Sequence, residues 1–71
     1  MSEEILAPMA GKVLQVNVKV GDTVAEDDVL LMLDAMKMEN PILATIDGVV
    51  KEIMVKANDE VEPDAVLVVL E

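Results

Sequence analysis

Shifting this chain by 37 positions lays residues 7–34 over residues 44–71 without a gap, and 11 of the 28 pairs are identical. The identities include Gly11/Gly48, Val18/Val55, Lys19/Lys56, Asp22/Asp59, Val24/Val61, Asp27/Asp64, Val29/Val66, Leu30/Leu67 and Leu33/Leu70. Gly21 falls on Asn58, and glycine and asparagine are the residues that most readily accept a positive φ. A turn is therefore kept even where the letter changes. Neither copy is long enough to bury its own apolar face, so the two are expected to pack through a pseudo-twofold relation.

Each copy reads as β. Leu14, Val16, Val18 and Val20 alternate with Gln15, Asn17 and Lys19, the period of a half-buried strand. The apolar positions common to both copies (Val13/Val50, Val16/Ile53, Val18/Val55) step by three before they step by two, which predicts a bulge or bend near the strand's start. Gly21-Asp22 and Asn58-Asp59 predict turns, and Glu26-Asp27-Asp28 and Glu62-Pro63-Asp64 predict loops. Residues 29–33 and 66–70 are short apolar runs suited to well-buried strands. Valine and isoleucine supply 17 residues, which disfavours helix. About four short strands per copy predict an all-β fold, a small sandwich or flattened barrel, within a single domain spanning residues 1–71.

A chain of 71 residues has a small core, and with no cysteine it is stabilised by packing, for which 54% hydrophobic content suffices. Histidine, arginine and all aromatic residues are absent too. A Ser-His-Asp arrangement, a thiol nucleophile and an arginine clamp on phosphate are thus excluded, and the chain is not expected to be an enzyme. A net charge of −10 with no aromatic platform argues against nucleic acid. No apolar run reaches spanning length and the start, Met-Ser-Glu-Glu, is unlike a signal peptide, so no membrane insertion and a cytoplasmic location are expected.

Residues 35–43 (Ala-Met-Lys-Met-Glu-Asn-Pro-Ile-Leu) lie outside the repeat and must join the copies. They are expected to form a hairpin with its tip near residues 36–40, and the chain termini are expected towards the opposite end. Lys37 is the one lysine of the chain with methionine on both sides. Exposed methionines at a tip contribute nothing to solubility, but methionine is an adaptable contact where several partners must recognise one surface. An amine held out between two such contacts suits a modifying enzyme. Met9, Met32 and Met54 are expected to fill gaps in the core or lie half-buried, and Glu26-Asp27-Asp28 to be a solvated turn, since it lacks the spaced ligands of a calcium loop. Pro41 is expected to stiffen the hairpin's exit.

Ala35-Met36-Lys37-Met38-Glu39-Asn40 closely resembles the attachment motif of biotinyl domains, the carboxyl carrier modules of biotin-dependent carboxylases and decarboxylases. Ala7-Pro8-Met9-Ala10-Gly11, Gly21-Asp22-Thr23-Val24 and Asp47-Gly48-Val49-Val50 extend the likeness over practically the whole chain. Asp34 stands where that family commonly has Glu, and Ala10 where a second Pro is common. The resemblance implies a flattened barrel of two four-stranded sheets and biotin in amide linkage on Lys37, placed there by a biotin protein ligase. It implies recognition through Ala35, Met36, Met38 and Glu39, the last of which could equally be a solvated acid. It further implies a biotin carboxylase that loads the cofactor with a carboxyl group, using ATP and bicarbonate, and a carboxyltransferase or decarboxylase that unloads it. Two other readings stand beside this one. A lipoyl carrier would use the same lysine but typically has Asp before it, and an unmodified binding or assembly module could use the same barrel.

Overall fold

The computed structural model describes residues 2–71. Eight strands follow one another: β1 (Glu3–Leu6), β2 (Gly11–Val16), β3 (Thr23–Val24), β4 (Val29–Ala35), β5 (Met38–Leu43), β6 (Gly48–Ile53), β7 (Glu60–Val61) and β8 (Val66–Leu70). They form two four-stranded sheets, β1-β8-β6-β3 and β5-β4-β2-β7, antiparallel throughout, and no helix is present among the described residues. The expected all-β sandwich is therefore the fold.

The 37-residue shift carries β1 onto β5, β2 onto β6, β3 onto β7 and β4 onto β8, and so turns one sheet into the other. Each sheet takes two strands from each copy, so the copies interlock. Turn contacts repeat in the same way. The Gly21 N–H donates to the Val50 carbonyl at 2.8 Å, as Asn58 does to Val13 at 2.7 Å. In both turns an aspartate carboxylate, Asp22 or Asp59, accepts from the amide three residues before it, Lys19 or Lys56, at 3.0 Å. Gly21 and Asn58 have φ of 97° and 78°, as the sequence led us to expect, and Asp27 and Asp64 form a second matched left-handed pair at 74° and 67°.

The core obeys the same relation. Its buried apolar residues fall into the pairs Ile5/Ile42, Ala7/Ala44, Val13/Val50, Val24/Val61, Leu30/Leu67, Leu31/Val68 and Leu33/Leu70, and only Ala35 lacks a counterpart. Ile5/Ile42 and Leu6/Leu43 extend the repeat beyond the span 7–34 over 44–71. Most of the segment taken to be a connector is β5, the counterpart of β1.

Two expectations need correction. The bulge exists in both copies, between Val13 and Gln15 and between Val50 and Glu52. It inverts the inside–outside phase of β2, so Val13 is buried while Leu14 is 37% exposed; β2 ends at Val16, leaving Val20 in a loop, 63% exposed. Met9 and Met32 are half-buried as expected, but Met54 is exposed, in the place that Asn17 occupies in the first copy. Asp28 is a turn acid whose carboxylate accepts from the Ala25 amide at 2.9 Å.

Gly11 and Gly48 meet the partner strand too closely for a side chain. A Cβ on Gly11 would lie 2.5 Å from the Asp34 carbonyl oxygen, and one on Gly48 would lie 2.7 Å from that of Glu71. Backbone must shift to admit it. Gly11→Ala is expected to cost about 1–3 kcal/mol, the usual range for overpacking, measured by urea unfolding. A loss below a few tenths of a kcal/mol would show that β4 yields freely.

Candidate functional site

β4 ends at Ala35, β5 begins at Met38, and these two residues pair across the strands. Only Met36 and Lys37 form the loop, with φ of 54° and 63°. Two residues at positive φ between antiparallel strands make a type I′ turn, whose twist matches that of the strands it joins. The tip is thus shorter than expected, because residues 38–40 are already strand. Such a turn favours Asn-Gly, and a residue with a Cβ in the left-handed region costs roughly 1–2 kcal/mol. Methionine and lysine here are not what turn stability alone would choose.

Met36 is 82% exposed and Met38 65%, the two highest values among the exposed large apolar residues. Lys37 lies between them, also exposed. Underneath, Ala35 is buried at 3%, and a Cβ on Gly11 would approach its Cβ to 3.1 Å. A small residue at Ala35 therefore lets β4 run past Gly11 up to the turn. Glu39 is exposed and pairs with Asp34, which pairs in turn with Lys12, so a row of charges crosses the sheet just below the tip. Pro41 lies opposite Met32 on β5, an edge strand, where a missing N–H is tolerated.

Asn40 gains a role only in the folded hairpin. Its side-chain amide donates to the Met38 carbonyl at 3.1 Å and, more weakly, to the Ala35 carbonyl at 3.4 Å. Those carbonyls belong to the residues on either side of the turn. A hint was available in the sequence, since extending the repeat by a few residues sets Asn40 against Glu3.

Nothing around the tip encloses a ligand. A groove of about 580 Å³ between Gly11, Lys12, Asp34, Glu60 and Glu62 is open and lined by charge, unlike the enclosed apolar pockets that hold small molecules. Among the described residues no group of acids is placed to hold a metal ion. What the site offers is one exposed primary amine on a two-residue turn, a fit for a group attached covalently through an amide.

A family model described as "Biotin-requiring enzyme" matches residues 3–70. The chain belongs to that family as a biotinyl domain. The biotinyl domain is 62% identical over 39 residues to the glutaconyl-CoA decarboxylase subunit gamma of Acidaminococcus fermentans, covering 55% of this chain and 27% of that one. It is 62% identical over 34 residues to a biotin carboxyl carrier protein of Streptococcus mutans, covering 48% and 26%. The domain thus spans about a quarter of the length of either relative. Its fold matches part of the Kluyveromyces lactis urea carboxylase with a TM-score of 0.94 at 30% identity, covering 100% of this chain and 6% of that one.

Proposed function

We propose that the domain carries biotin on Lys37 and presents it, as a carboxyl carrier, to the active sites of a biotin-dependent carboxylase or decarboxylase. The observation that supports this reading is the Met36-Lys37 turn, a two-residue loop at positive φ that lacks the usual turn residues and leaves Met36 82% exposed beside an exposed Lys37. A biotin protein ligase supplies the cofactor with its carboxyl group activated. The Lys37 amine attacks that carbon, an amide bond forms, the activating group leaves and the nitrogen loses a proton. Bound biotin then supplies the atom that accepts and releases a carboxyl group. On this reading the chain's part is to anchor the cofactor and raise its concentration near partner sites.

The partners on this reading are the ligase, a biotin carboxylase and a carboxyltransferase or decarboxylase subunit, met in the cytoplasm. Met36, Met38 and Glu39 form the surface they recognise by contact, and Ala35, buried beneath the turn, contributes by letting the hairpin sit close over Gly11. The relatives' names include a decarboxylase subunit and a carboxyl carrier, which suits this role. No helix among the described residues is long and apolar enough to cross a membrane.

Intact mass spectrometry after co-expression with a biotin protein ligase, and separately with a lipoyl ligase, tests the proposal. A single biotinyl adduct is expected from the first and none from the second. An unmodified chain in both would leave only the binding-module reading, and a lipoyl adduct alone would transfer the site to the rival cofactor.

A further inference from the structure

The pseudo-twofold relation separates what the barrel needs from what the tip needs. Asn40 and Glu3 are equivalent positions, paired with the equivalent leucines Leu33 and Leu70. Glu3 is exposed, and its carboxylate accepts from the Thr45 hydroxyl at 3.2 Å. Asn40 is half-buried, and its amide is turned onto the two carbonyls that bracket the Met36-Lys37 turn. The barrel therefore does not require an amide at this position, because its other copy does without one. The Asn40 end carries the Met36-Lys37 turn, which lacks the glycine or asparagine that would hold it unaided.

We infer that Asn40 is a positioning residue for modification of Lys37: its side-chain amide ties Met38 to Ala35 and keeps Met36 and Lys37 in the left-handed conformations in which the amine is offered. The inference rests on the reading of Lys37 as the attachment residue. Without the tie, the chain on either side of the turn is free to leave the left-handed region, and only a fraction of molecules presents a competent tip. A ligase that selects that fraction sees a KM raised by its reciprocal, while kcat at saturation is retained. A purely structural role for Asn40 would instead lower stability without splitting KM from kcat.

The test uses the full chain, produced without biotin, and three forms: wild type, Asn40→Leu and Asn40→Thr. Leucine matches asparagine in size, suits a half-buried position beside Leu33 and has no donor, whereas threonine keeps one. Ligase kinetics should show KM raised about three- to tenfold in Asn40→Leu, the range expected when one good hydrogen bond and a long, weak one are lost together, with kcat and thermal midpoint retained and Asn40→Thr in between. NMR HN–Hα couplings of Met36 and Lys37 should depart from their positive-φ values in the same order. Wild-type KM in Asn40→Leu overturns the inference, whatever the couplings show, and so does a KM change accompanied by unfolding in both variants. A wild-type chain that the ligase leaves unlabelled fails the reading of Lys37 itself, a result distinguishable because it precedes any variant.

Discussion

Lys37→Arg is expected to leave the barrel folded and abolish labelling by a biotin protein ligase, with no residual adduct at any other position. Arginine keeps the charge and much of the length, but its guanidinium does not form the amide. The result matters because the remaining lysines, Lys12, Lys19, Lys51 and Lys56, are all exposed as well. Exposure alone therefore cannot select the target. Lys12 and Lys51 lie on β2 and β6, and Lys19 and Lys56 precede the matched turns at Gly21 and Asn58. None of them occupies a two-residue turn between exposed methionines. Intact mass and peptide mapping of wild type and variant decide the matter. An adduct of equal yield on the variant would show that the ligase reads something other than this turn.

The second large effect concerns the core. Leu30→Ala and Leu67→Ala are each expected to cost about 2–5 kcal/mol, since both leucines are fully buried. A chain of this length has a total stability of only about 4–10 kcal/mol. Either variant should then lose roughly 10–30 °C in thermal midpoint, and the double variant should not fold. Because the residues are counterparts in the interlocked sheets, their costs should agree to within about 1 kcal/mol; the difference, read from urea unfolding, tests whether the pseudo-symmetry is energetic as well as geometric. Costs that differ severalfold would mean that one half of the core carries most of the stability.

The architecture was legible because its signals were doubled. Gly21 and Asn58 pointed to a positive φ from two letters, and the three-then-two spacing pointed to a bulge in both copies. That bulge also defeated the alternation of Leu14 through Val20, since period 2 holds only while every residue is paired. The hairpin tip was placed too broadly because Met-Lys is a poor sequence for a type I′ turn, and nothing local marks one. Lys37 stood out by its methionine neighbours. Asn40 did not, because its role is a pair of side-chain contacts that neither composition nor periodicity encodes. The span 7–34 over 44–71 starts the repeat at Ala7 and Ala44, although Ile5-Leu6 and Ile42-Leu43 continue it; the pairs before them, Glu3/Asn40 and Glu4/Pro41, are where the two ends diverge.

The strand order has a consequence in time. The sole neighbour of β1, the first strand made, is β8, the last, and β3 likewise has only β6. A growing chain can assemble β2, β4 and β5 into a meander, turn included, but the sheet that covers its apolar face cannot close until β8 has been synthesised. Pairings so distant in sequence form late, and the barrel arrives as a single cooperative event. Lys37 precedes β6, β7 and β8 in the chain, so it gains the support of the closed barrel only after they are made. A label on it would certify a closed barrel, and a ligase that demands the folded turn would act as a check on that closure.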